Sequence, residues 1–210
     1  MRVEMGSLSQ NERIMLNRRR FLLTNTCAAV AGLALAACGD KAGPMAAAPA
    51  PAKAAPNAAW DLAARGSGFT VGPVMAAHTV YVFFDPACPH CAALWMSAKP
   101  LAARLKMVWI PVGFLQRSSA PQGATILTAP DPAAAMNQNE SSVLERQGGI
   151  TVSPSLPDEA LAKVKANTDL FHQIGEDSVP LIVFKNGKTG EFGTHAGAVS
   201  TDELIAMTGL

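Results

Sequence analysis

The chain has 210 residues, 49% hydrophobic and 16% charged, enough to build one packed domain with appendages. Five of its 17 basic residues (Arg2, Arg13, Arg18, Arg19 and Arg20) precede the first apolar run, opposed only by Glu4 and Glu12, and the nearly neutral remainder lacks the basic stripe that a nucleic-acid partner requires. Of the four cysteines, Cys27 and Cys38 fall inside or at the end of the amino-terminal segment. That leaves one close pair, Cys88 and Cys91, too few for a structural disulfide framework.

In chain order, Arg18-Arg19-Arg20 leads into Phe21-Leu22-Leu23 and an apolar stretch from Ala28 to Ala37. A basic region, a short apolar region and small residues at its end describe a secretory signal. The stretch falls short of the roughly 20 apolar residues that span a bilayer, which argues against a permanent signal anchor. Asn17-Arg18-Arg19-Arg20-Phe21-Leu22 resembles the twin-arginine export motif, and Leu35-Ala36-Ala37-Cys38 resembles the bacterial lipobox, whose cysteine is acylated. Residues 1–38 are therefore expected to be a signal peptide with a lipobox. Cys38 is the expected lipidation site, and the mature protein is expected in the periplasm, lipid-anchored to a bacterial membrane. Residues 39–59 form an Ala/Pro tract too poor in aromatic and branched side chains for a core, and read as a tether. Extended at about 3.1 Å per residue, it would reach roughly 60 Å.

Residues 60–210 carry the elements of a globular domain. Phe69 to Met75 predicts a short edge strand, since Pro73 excludes a central position. Thr79-Val80-Tyr81-Val82-Phe83-Phe84 predicts a strand buried on both faces. After Asp85-Pro86-Ala87 and the cysteine pair, Ala92 to Leu105 has helical spacing, with Pro100 as a kink. Lys106 to Phe114 reads as a second central strand, parallel to the first across the helical crossover. Helical stretches follow at Gly123 to Leu127, Pro132 to Gln147 and Pro157 to Ile174. Leu181-Ile182-Val183-Phe184 and Gly190 to Thr194 flank an Asn186-Gly187 hairpin signal, and Thr201 is a possible cap for a last helix ending near Met207. The order β–α–β, helical insertion, α–β–β–α defines an α/β chain with the thioredoxin-like arrangement and a helical insertion.

Cys88-Pro89-His90-Cys91 stands just after a buried strand, at the first turn of a helix. Unpaired N–H groups and the positive end of the helix dipole favour a thiolate there. Cys-x-x-Cys in such a place has its first thiol lowered into the range of about 3.5 to 7.5. Cys91, one turn on and deeper, is expected to stay protonated. Pro89 suits a helix start because it has no N–H to leave unpaired, and His90 adds a positive or hydrogen-bonding group beside the sulfur. Stabilising the reduced form makes an oxidising disulfide. No second Cys/His pair completes a zinc site, and His78, His172 and His195 read as surface or structural histidines. A Cu(I) carrier, an inert structural disulfide and a chaperone-like binding module remain as other readings, although Met75, Met96 and Met107 look like core packing. No metal or other cofactor is expected. Ser178-Val179-Pro180 precedes a strand, a place where an X-Pro bond can be cis.

The run Tyr81 to Cys91, with Trp95 after it, resembles the active-site segment of the periplasmic DsbG/DsbC disulfide isomerases, DsbG above all. Lys99-Pro100, Pro111-Val112-Gly113, Ser119-Ala120-Pro121, Ala124-Thr125-Ile126-Leu127, Gln147-Gly148-Gly149 and the Pro180 strand extend the resemblance over about residues 78 to 210. It implies a thiol:disulfide interchange protein in which Cys88 attacks, Cys91 resolves and Pro180 helps bind the substrate backbone; Val179 beside it is expected to help shape the docking surface. The implied partners are exported proteins with thiols or disulfides, and a membrane redox partner that regenerates the site. The family's amino-terminal dimerisation domain does not fit between Cys38 and His78, so a monomer is expected. His90 and Val179 depart from the family pattern and resemble the oxidase DsbA instead.

Overall fold

The structure is a computed structural model and describes residues 52–210. The signal, the lipobox with Cys38 and the tether as far as residue 51 lie outside the described residues. The elements follow in the order α1 (Pro56–Ala63), β1 (Phe69–Val71), β2 (Thr79–Phe84), α2 (Pro89–Ala98), β3 (Lys106–Pro111), α3 (Ser119–Thr128), α4 (Pro132–Leu144), α5 (Asp158–Ile174), β4 (Leu181–Lys185), β5 (Phe192–Ala196) and α6 (Thr201–Thr208).

The strands form one sheet in the order β1-β3-β2-β4-β5. β2 and β3 are parallel, in register from Thr79 opposite Lys106 to Phe84 opposite Pro111. β1, β4 and β5 run antiparallel to their neighbours. The cysteine motif therefore leaves the sheet at the carboxyl end of its two parallel strands. The three helices α3, α4 and α5 fill the connection from β3 to β4, α3 and α4 being the insertion expected from the sequence and α5 the helix that follows it.

Aromatic contacts show how the sheet is covered. Successive strand side chains point to opposite faces. Phe83 meets Phe171 of α5, ring centres 5.9 Å apart. Val82, Phe84 and Trp109 lie on the other face, where Trp109 packs edge-on against Trp95 of α2 at 4.8 Å. Phe83, Phe84 and Trp109 are fully buried, so β2 is covered on both faces.

Several local expectations shift. α2 ends at Ala98, and Lys99–Leu101 continue as one 3-10 turn, because Pro100 has no N–H for the α-helical ladder. α3 starts at Ser119, four residues before Gly123; a side chain at Gly123 would press on Pro111, with a Cβ 3.0 Å from the Pro111 Cβ. The cap of α6 is Ser200, not Thr201: its hydroxyl accepts from the Glu203 N–H while the Glu203 carboxylate accepts from the Ser200 N–H, a capping box. Thr201 instead donates its hydroxyl to the Ser97 carbonyl. The β4–β5 connection is not a two-residue Asn-Gly turn. Asn186 closes a longer loop, its side-chain oxygen accepting from the Lys188 and Thr189 N–H groups, and Gly190, not Gly187, has positive φ (77°). Met75 is 93% exposed and Met96 about half exposed, so of the three methionines read as core only Met107 is buried.

The packed domain also reaches back beyond residue 60. α1 starts at Pro56, Ala59 is fully buried, the Ala54 N–H donates to the Ile174 carbonyl at 2.9 Å, and Lys53 pairs with Glu176. Small side chains that cannot make a core by themselves do allow close docking on one. None of the helices among the described residues is long and apolar enough to cross a membrane.

Candidate active site

The end of β2 delivers Asp85, whose buried carboxylate gathers four donors. One oxygen accepts from the Ala87 N–H (2.9 Å) and the Ser119 hydroxyl (2.6 Å), the other from the N–H groups of Phe114 (3.1 Å) and Leu115 (3.0 Å). This carboxylate ties the loop before the cysteines to the β3–α3 connection. The Cys88 N–H donates to the Asp85 carbonyl at 3.0 Å. Cys88 is the N-cap of α2, with extended backbone (φ −93°, ψ 115°), and Pro89 occupies the first helical position.

Cys88 is 4% exposed and Cys91 fully buried, while Pro89 and His90 are exposed. Both cysteines are free thiols. The Cys88 thiol is lowered from 9.0 to about 6. The main cause is the hydrogen bond from the Cys91 side chain; burial opposes it, and the backbone N–H groups of Cys91 and His90 and the charge of His90 add to it. Cys91 is pushed well up, first by burial, then by its hydrogen bond and charge interaction with Cys88, and by the charge of Glu140. The two sulfurs thus differ in the sense expected from sequence.

The Val179–Pro180 bond is cis, and the Val179 carbonyl accepts from the Cys88 sulfur at 3.5 Å. Val179 and Pro180 are thereby brought against the motif. A shallow cleft lined by Ala87, Pro89, Gln116, Val143, Arg146 and Gly148 opens beside it. His78 faces the β4–β5 loop at Gly187, and His172 leans on Phe114 and Phe171.

Sequence reasoning missed Asp85, Ser119, Asn139 and Glu140. Asn139 of α4 is buried and spans the site from below, donating to the Pro86 carbonyl (2.9 Å) and accepting from the Ile150 N–H (2.9 Å). Glu140 beside it is fully buried, and one of its oxygens accepts only a long bond from the Asn139 amide (3.3 Å). Its other oxygen has no partner. Burial, the first cause, pushes this carboxyl up to about 8, with Cys88 and Asp85 adding. An acid three residues before Cys88, after a strand, was a readable signal for Asp85; nothing in Asn137-Gln138-Asn139-Glu140 marks a buried acid.

Among proteins of known name, the chain is similar to the thiol:disulfide interchange protein DsbG of Pseudomonas aeruginosa, 25% identical over 152 residues that cover 71% of this chain and 58% of that protein. It is similar also to DsbG of Escherichia coli K12, 30% identical over 110 residues, covering 50% and 42%. The chain thus spans about half the length of these relatives. No family model matches it. Among solved structures, a periplasmic thioredoxin-like protein from Salmonella enterica serovar Typhimurium superposes with a TM-score of 0.56 at 17% identity, over 73% of this chain and 95% of that one. In sequence this chain is DsbG-like, and in fold it is thioredoxin-like.

Proposed function

We propose that the chain is a thiol–disulfide oxidoreductase that exchanges disulfides with exported proteins through Cys88 and Cys91. The observation that carries this reading is the asymmetry of the pair: one sulfur barely exposed at a helix start and ionised near neutral pH, the other fully buried and proton-bearing. In one direction the Cys88 thiolate attacks a client disulfide or sulfenic acid and Cys91 resolves the mixed disulfide. In the other, a client thiolate attacks Cys88 of the oxidised pair and Cys91 is released. Pro89 starts the helix, His90 favours the thiolate, and Val179 with Pro180 shapes the surface on which the client backbone docks.

The same reading makes the protein a periplasmic monomer held to a membrane through acylated Cys38, and regenerated by a membrane redox partner. The DsbG names of its relatives and the signal-like amino terminus support this. The pair serves as oxidase, isomerase or reductant of sulfenylated cysteines according to its potential. A value near −120 mV marks an oxidant and one near −270 mV a reductant.

Cys91→Ser should accumulate mixed disulfides with periplasmic proteins on a non-reducing gel, and Cys88→Ser should trap few and lose exchange activity. Client protection undiminished in both variants would overturn the reading in favour of a chaperone. Stoichiometric Cu(I) retention by the reduced protein against a chelator, without exchange, would favour a carrier.

A further inference from the structure

We propose that Arg146 selects clients, receiving in the cleft beside Cys88 an acidic side chain that flanks the client's reactive cysteine. The inference deepens the exchange reading and rests on it.

Helix α4 ends in a turn in which the Arg146 N–H donates to the Val143 carbonyl (3.0 Å) and the Gln147 N–H to the Ser142 carbonyl (2.8 Å). That pattern places residue 146 in the left-handed region, and Arg146 has φ 60°. Glycine is the usual occupant of such a place, because a side chain there costs free energy. Among the described residues, no other non-glycine residue has positive φ. The turn itself thus gives no reason for an arginine.

Its surroundings give one. Arg146 is exposed and makes no ion pair among the described residues. With Gln116 it lines a cleft of about 230 Å³ whose other wall is Ala87 and Pro89, the residues on either side of Cys88. No acid lines that cleft, and the exposed His90 and Arg117 stand next in the chain to Pro89 and Gln116. The loop that carries Arg146 is fixed. The Gln122 amide donates to the carbonyls of Gly148 (2.7 Å) and Ile150 (3.1 Å), and the Ser142 hydroxyl donates to that of Gly149 (3.0 Å). Asn139 ties the loop to the active-site segment, accepting from the Ile150 N–H and donating to the Pro86 carbonyl, both at 2.9 Å. An arginine on a held backbone offers a carboxylate two parallel hydrogen bonds.

The sheet decides which part of a client reaches it. β3 and β4 flank β2 on opposite sides. The Val179 carbonyl, before β4, lies 3.5 Å from the Cys88 sulfur, and Gln116 follows β3. A client cysteine bonded to Cys88, with one flank on Val179 and Pro180, lays its other flank over the cleft.

The test is stopped-flow reduction of the oxidised protein at pH 7 by short single-cysteine peptides whose cysteine is flanked by glutamate or by lysine. A peptide thiolate bonds to the Cys88 sulfur and Cys91 leaves with the electron pair; a second peptide thiolate then frees Cys88. Two peptides become one disulfide, the pair gains two electrons, and of the two thiol protons one ends on Cys91 and one in solvent. Each rate is divided by that peptide's rate with a small symmetrical disulfide, which removes the peptide's own reactivity. The glutamate peptide should lead by about threefold in wild type. Arg146→Gly should cut that lead at least twofold and melt no lower than wild type, since glycine suits the turn, and Arg146→Glu should reverse it. A ratio that is the same in wild type and both variants would overturn the proposal, as would a lower melting temperature for Arg146→Gly. A wild type reduced by neither peptide nor by a small dithiol refutes the exchange reading itself.

Discussion

At the level of single residues, the site is defined by two ionisable groups whose folded values move in opposite directions. Cys88 is lowered, so the stability it lends to the reduced protein is complete above the unfolded thiol value of 9.0 and is lost as pH falls through about 6. At about 1.4 kcal/mol per tenfold change in ionisation, the gain across that window is on the order of 4 kcal/mol. Urea unfolding of the reduced protein between pH 6 and 9, compared with Cys88→Ser, should show it. Glu140 is raised, so its contribution is complete below the unfolded value of 4.5 and is lost as pH rises through about 8. Glu140→Gln should abolish that downward slope between pH 4.5 and 8, whatever its effect on absolute stability. The first group was legible in the sequence, because a cysteine at a strand-to-helix junction announces its electrostatics locally. The second was not. Whether a glutamate in a polar helical run faces water or the interior depends on what packs on the helix.

Among the elements, the connections set the geometry of the site more than the strands do. Asp85→Ala would leave the N–H groups of Ala87, Phe114 and Leu115 without their acceptor, at about 1–3 kcal/mol for each that stays buried. A total loss of roughly 3–5 kcal/mol in chemical denaturation, with slowed exchange, is the expected outcome. Ser200→Ala removes a capping box far along the chain from the motif, and should cost about 1 kcal/mol without changing the exchange rate. Strand β2 was readable residue for residue, since a β-branched and aromatic run bounded by Asp-Pro has few alternatives. Neighbouring boundaries were less so: the sequence reading offers Thr201 as a cap where the structure uses Ser200, both hydroxyl residues that only backbone geometry separates. The exposure of Met75 and Met96 likewise depends on loop placement and helix rotation, which composition does not encode.

For the whole molecule, the early part of the domain works as a clasp. Gly175 ends α5 at φ 84°, and a Cβ there would stand 2.8 Å from the Lys53 Cα, so the chain before α1 lies directly on that helix end. A chain beginning at Trp60 loses the Lys53–Glu176 pair, the Ala54–Ile174 hydrogen bond and the first half of α1 with its fully buried Ala59. Its melting temperature should fall by about 5–10 °C, at 2–4 °C per kcal/mol for a domain of this size. The Ala/Pro composition concealed this, because alanine reads the same in a tether and at a close helix contact. The sealing of Cys91 beneath Cys88 also bears on what the protein can meet. Only one sulfur has a doorway, and it is narrow, so a thiol reagent meets Cys88 and not Cys91.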